Sequence, residues 1–297
     1  MVRILSLLPS ATEIVYALGL EDDLVGVTHE CDWPAGARGK RRVSFSTFEG
    51  KPEPAEVDRL VSASIGEGEP IYRLDTDAIR ELRPDLVLTQ DLCAVCAVPS
   101  GHVNEALETL GCRADVVSLD PNSLEDVLDC VLQVGTATGS EERALELVDG
   151  LRDRLAKAAE SGARRDRPRT FALEWSDPPF NGGHWVPEMI DLAGGDPILG
   201  SRGTPSVRLK WEEIASASPD VVFFMPCGYD LEAAVEEAAS LVDKPELESA
   251  DAFFAVDASS YFSRPGPRLV DGVEILLSAL HPEAAPDIPP NSIRQIR

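Results

Sequence analysis

Apolar and polar positions follow two rhythms along this chain, and the rhythms alternate from the first residues. Residues 4–8 (ILSLL) are apolar but for Ser6, the pattern of a buried strand. Ser10-Ala11-Thr12-Glu13 has the form of a capping box, and the helix it opens stops at Gly19. Strands are predicted over 24–27, 85–89 and 114–119. Helices are predicted over 75–82, ended by Pro84, over about 103–110, and after Ser123-Leu124-Glu125-Asp126. This β-α-β-α order predicts a parallel sheet covered by helices.

Ser140-Glu141-Glu142-Arg143 then opens a long helix with Ala144, Leu147, Val148, Leu151 and Leu155 at helical spacing. It runs to about Glu160, and the polar segment 161–169 has no apolar period. The alternation restarts with strands over 170–175, 220–225 and 252–256. Helices are predicted over 186–192, 211–217, 230–241 and 267–280. Residues 78–89 (AIRELRPDLVLT) and 214–224 (IASASPDVVFF) echo each other as helix, Pro-Asp, strand. The predicted organisation is an N-terminal α/β lobe over 1–139, a linker helix over 140–163 and a C-terminal α/β lobe over 164–297.

Composition agrees with two ordinary cores: 297 residues, 43% hydrophobic and 6% aromatic. No apolar run approaches the ~18 residues of a membrane-spanning helix. The net charge of −25 argues against nucleic acid as a partner, because phosphate contacts need clustered Lys and Arg. Only Lys40, Lys51, Lys157, Lys210 and Lys244 are lysines, so the acidity reads as a solvent adaptation of a halophilic source. The start of the chain has neither signal-peptide pattern nor lipid-anchor cysteine, which as written implies the cytoplasm, or an extracytoplasmic protein whose leader has been removed.

Ligands of open parallel sheets bind beyond the carboxyl ends of the strands. His29, Cys31 and Trp33 follow the second predicted strand, and Asp91, Cys93 and Cys96 follow the third. Glu174, Trp175, Phe180, His184 and Trp185 come after residues 170–173, at and beyond the end of the strand that begins at Thr170. Cys227 and Tyr229 follow the next, and Asp257, Tyr261, Phe262 and Arg264 the last. Aromatic residues gathered there predict a broad, partly apolar ligand face; packing between lobes is the alternative. Nucleotide-binding glycine motifs and the G-x-S-x-G elbow are missing, so enzyme templates fit poorly.

The six cysteines are not a disulfide framework in a chain of this kind. Cys112 and Cys130 sit among apolar residues and read as buried small side chains. Cys93-Ala94-Val95-Cys96 reads as idle or ligand-facing thiols, as part of a metal site with His29 and Cys31, or as a redox pair. Pro99-Ser100-Gly101 speaks against the helix that a thioredoxin-like pair would start. A metal- or thiol-dependent enzyme using His29, Cys31, Cys93 and Cys96 therefore stands as an alternative of another class.

The segments RILSLLPSATEIVYALGLEDDLVGVTHECDWP, RPDLVLTQDLC, WEEIASASPDVVFF and YFSRPGPRLVDGVEIL together resemble the cobalamin- and siderophore-binding proteins of ABC transporters, most of all the cobalamin branch. The resemblance covers nearly the whole chain. It implies two Rossmann-like lobes with parallel sheets joined by a single long helix, and a corrinoid held between the lobes with no cofactor required. An iron–siderophore or haem is the alternative ligand, and an ABC permease the implied partner. By position, Trp33 and Phe48 match aromatic residues lining the ligand site, Trp175 and Phe180 a wall of the second lobe, and Tyr261 a ring contacting the ligand from above. Asp91, Cys93, Cys96, Trp185, Phe262 and Arg264 complete the expected ligand set. Glu212 matches a carboxylate that docks on the transporter, with Glu105 the nearest substitute in the first lobe. Residues 51–71 look like an inserted loop, and the CxxC is foreign to the general family pattern.

Overall fold

The computed structural model describes residues 2–46, 54–67, 72–90, 101, 103, 113–284 and 286–297. Among them the chain forms two compact units, one of residues 1–121 and 128–148 and one of residues 122–127 and 149–297.

In the first unit the order is β1 (Ile4–Ser6), α1 (Pro9–Ala17), β2 (Leu24–Thr28), β3 (Arg41–Ser46), α2 (Pro54–Glu67), β4 (Tyr72–Leu74), α3 (Thr76–Leu82), β5 (Leu86–Thr89) and β6 (Asp115–Ser118). The described strands make one sheet in the order β4-β3-β2-β1-β5-β6, parallel except for the edge strand β4. Leu5, Leu7, Val43, Ile79 and Val87 form its core.

The capping box expected at Ser10 does not form. α1 begins earlier, because Pro9 occupies its first turn, where a missing N–H costs nothing. Ser10 and Glu13 are buried in the first turns, and the Thr12 hydroxyl donates to Ser6 Oγ at 2.9 Å. The loop expected over 51–71 is also corrected: residues 54–67 are helical. Pro54 opens α2 and Glu56 lies in its first turn. Val57, Leu60 and Val61 stand at helical spacing in the sequence, a short period that the flanking Pro and Gly residues obscure. The helix expected near 103–110 lies almost wholly outside the described residues.

Helix α4 (Leu124–Thr138) and helix α5 (Glu141–Gly162) follow. The cap predicted at Ser123 forms: its Oγ accepts from Asp126 N at 3.2 Å, and Asp126 Oδ2 accepts from the amides of Asn122 and Ser123 at 2.9 Å. Those backbone bonds hold the Asp126 carboxyl below its ordinary pKa.

The second unit continues with β7 (Arg169–Ser176), β8 (Pro179–Asn181), α6 (Val186–Leu192), β9 (Asp196–Pro197), α7 (Trp211–Ala217), β10 (Val221–Phe224), α8 (Leu231–Leu241), β11 (Ala252–Val256), α9 (Ala258–Tyr261), α10 (Leu269–Leu280) and β12 (Ile293–Gln295). Its sheet runs β12-β11-β10-β7-β8, with β9 beside β7. The central strands are parallel, and β8 and β12 are antiparallel edges. Phe171, Phe224, Phe253, Ile214 and Leu247 are fully buried in its core.

The sequence echo is a structural repeat. α3 and α7 both end on a left-handed residue, Arg83 at φ 46° and Ser218 at φ 45°, followed by Pro-Asp and a central strand. In each unit the Asp carboxylate accepts the amide of the arginine where the first strand begins: Arg3 N, just before β1, to Asp85 at 2.9 Å and Arg169 N, the first residue of β7, to Asp220 at 2.8 Å. The same arginines cap the helix ends, Arg3 on Leu82 O and Arg169 on Ala217 O.

Candidate functional site

Parallel pairing of β11 with β10 and of β10 with β7 lays their carboxyl ends side by side. Trp175 and Tyr229, beyond Leu173 and Phe224 of paired strands, meet edge-to-face at 5.9 Å. Ser259 N donates to Tyr229 O at 2.9 Å, which ties the loop after β11 to the loop after β10. Asp257 caps α9 by accepting from Ser260 N at 2.9 Å, and burial pushes its carboxyl pKa up. The Tyr261 ring lies under the Arg268 guanidinium, 5.5 Å from its centroid, and burial raises the phenol pKa. Phe180 pairs with Trp175 across β8 and β7 and lies under Arg208 at 5.6 Å. Trp175, Phe180, Tyr261 and Arg264 are all part-exposed.

Trp185 and Phe262 are placed differently from the expectation. They are 6% and 2% exposed, and the Trp185 indole N–H donates to Phe262 O at 2.8 Å. Their rings are packed inside the unit, where burial favours large apolar groups, and Trp185 finds the one hydrogen bond it needs. Both side chains are buried in the unit, unlike the part-exposed Trp175, Phe180 and Tyr261.

Glu174 was among the strand-end residues of the sequence, but its environment was not readable there. The β7–β8 register shifts between Leu173 and Trp175, so Glu174 stands at an irregularity of the ladder, and its hydrogen bonds place it against Gly183 and Ser206. Its Oε2 accepts from Ser206 Oγ and, at 3.3 Å, from Gly183 N. Burial pushes the carboxyl pKa up, and the two hydrogen bonds oppose that shift. Ser206 is delivered by a segment strapped to β8 through His184 N to Thr204 O at 2.6 Å, Val207 N to Asn181 Oδ1 at 2.6 Å and Asn181 Nδ2 to Leu199 O at 2.5 Å. A Cβ on Gly183 would stand 2.2 Å from Ser206 N, so only glycine permits this approach. His184, at φ 50°, stacks on Trp185 at 5.5 Å, and burial lowers its pKa, which favours the neutral ring. Neither Ser206 nor Arg208 lies after a strand, so strand-end reasoning passed over both.

In the first unit, Trp33 follows β2 and is 49% exposed. Cys31 is 4% exposed, with its Sγ 3.1 Å from the hydroxyls of both Thr12 and Thr28, an interior polar contact. His29 has its ring 5.8 Å from that of Tyr72. Among the described residues no group of three or more His, Cys, Asp and Glu side chains is arranged to hold a metal ion. Phe48, Asp91, Cys93, Cys96, Glu105 and Cys112 lie outside the described residues. Cys130 is buried and Cys227 exposed. Glu212 is exposed in the first turn of α7. No described helix is long and apolar enough to cross a membrane.

A family model described as "Periplasmic binding protein" matches residues 4–253. A vitamin B12-binding protein of Vibrio cholerae is 24% identical over 280 residues, covering 92% of this chain and 86% of that protein. An uncharacterised ABC transporter substrate-binding lipoprotein of Bacillus subtilis is 24% identical over 297 residues, covering 95% of this chain and 80% of its own length. Among solved structures, a periplasmic haem binding protein from Pseudomonas aeruginosa superposes with a TM-score of 0.72 at 22% identity, over 99% of this chain and 97% of that one. The cytoplasmic placement expected from the first residues finds no support in these relatives.

Proposed function

Since the chain belongs to the periplasmic binding protein family, and is a binding protein and not an enzyme, we propose that it binds a corrinoid at the carboxyl-end face described above and serves an ABC-type uptake system outside the cytoplasm. The observation that carries this reading is the likeness to a vitamin B12-binding protein along 92% of the chain. The aromatic set Trp175, Phe180, Tyr229 and Tyr261 supports it, because flat rings stack on a flat macrocycle at small conformational cost. Trp33, exposed on the first unit, belongs to the same proposed contact set, as do Phe48, Asp91, Cys93 and Cys96 by sequence position. Glu212 is the proposed docking carboxylate for a permease. A haem-binding reading draws on the likeness to the Pseudomonas aeruginosa protein. Against it stand the −25 net charge and the half-buried Glu174, both unfavourable to a ring bearing carboxylates.

The test is substitution of Trp175 and of Tyr261 by Ala. Each should weaken cyanocobalamin binding by about 1–3 kcal/mol with native circular dichroism, the range for a well-packed aromatic contact. Unchanged affinity in both variants would remove the site from the second unit.

A further inference from the structure

We propose that Glu174 contacts the ligand and selects a macrocycle bordered by carboxamides over one bordered by carboxylates. This rests on the corrinoid reading above and goes beyond it by naming the group that reads the periphery of the ring. Glu174 lies two residues before the end of β7, next in sequence to Trp175. It stands where the β7–β8 register shifts, and its carboxyl reaches the Gly183 amide and the Ser206 hydroxyl. One carboxyl oxygen, Oε2, is taken by the Ser206 hydroxyl and the Gly183 amide, which fix the group in place. Among the described residues no hydrogen bond reaches Oε1 and no cation pairs with the carboxyl. Glu174 is part-exposed, which leaves it open to a ligand, and its partial burial without a counter-ion makes the ionised form costly unless a partner satisfies it.

The chemistry of Oε1 decides which partner that is. With both donors on Oε2, the proton of a neutral carboxyl resides on Oε1. A carboxamide then satisfies Glu174 in either state, its C=O accepting the proton or its N–H donating to the ionised oxygen. A ligand carboxylate pairs with the neutral state only and repels the ionised one. Specificity arises from that repulsive element as much as from the attractive one. Burial, which raises the Glu174 pKa, lowers the cost of the neutral form that needs no cation.

The test compares two corrinoids with the same ring, dicyanocobinamide with carboxamide side chains and dicyanocobyrinic acid with free carboxylates. Both are titrated near neutral pH against the full chain, Glu174→Gln and Glu174→Leu. The unaltered chain should prefer the cobinamide by about tenfold or more, the size expected when a site built for a hydrogen bond meets a ligand that cannot make it. Glu174→Gln carries an amide that can donate to a carboxylate, so the preference should fall at least about fivefold through tighter binding of the acid. Glu174→Leu should weaken cobinamide binding about tenfold. A preference unchanged within about twofold in Glu174→Gln overturns the inference while leaving the corrinoid reading in place. That variant keeps the shape of the group and decides the matter even where Glu174→Leu fails to fold. Failure of the unaltered chain to bind cyanocobalamin or dicyanocobinamide overturns both.

Discussion

Phe223→Ala is expected to destabilise the second unit by about 3–5 kcal/mol, a large part of the stability of an ordinary domain. Phe223 lies in β10 between β7 and β11 and is fully buried. Its ring stacks on Phe254 at 5.3 Å with an interplanar angle of 18°, a contact that adds to the area it buries. Strands on both sides hold the backbone in register, so the cavity cannot collapse easily, and incomplete collapse gives the upper part of the range. Denaturant unfolding followed by tryptophan fluorescence reads the change in midpoint, since Trp175, Trp185 and Trp211 all lie in this unit. A loss below about 1 kcal/mol would mean that the strand is not central.

Leu151→Pro should cost about 3 kcal/mol or more. Leu151 lies mid-way along α5, 5% exposed, where proline removes a backbone bond and drives its ring into the preceding turn. The lost side-chain contacts of a buried leucine add to that cost. Glu141→Pro is the control. It falls at the first helical position, where the N–H has no helical partner, and should change stability little. Equal, small shifts in melting temperature for the two substitutions would show that residues 141–162 are not one continuous helix.

The longer helices of the second unit and its central strands were legible because their signals are local: α6, α7 and β11 begin and end where period, glycine and proline place them, whereas the single turn α9 was not predicted. The same was true of the Pro-Asp repeat, though not of its partner. Nothing in the sequence singles out Arg3 and Arg169, and only the fold shows each completing a helix end some 48 to 80 residues away. The short edge strands β4, β8 and β12 escaped, since three residues carry too little period to identify and their pairing is decided by the neighbouring strand. Trp185 and Phe262 show the limit for the site. A strand-end aromatic can line a ligand face or plug the space beneath it, and residue type does not distinguish the two. Glu174 shows the converse: what sets it apart is the strapped segment that brings Ser206 to it, a contact between residues 32 apart.

The central claim, a corrinoid ligand, is tested most directly by titrating the full chain with cyanocobalamin and, separately, with haemin and a ferric hydroxamate siderophore. Binding is followed by tryptophan quenching and by visible absorbance that stays with the protein through gel filtration. The account predicts saturable binding of one cyanocobalamin per chain, tighter than either competitor by about tenfold or more, that is, by at least ~1.4 kcal/mol. Tighter binding of haemin or of the ferric siderophore than of cyanocobalamin would contradict it.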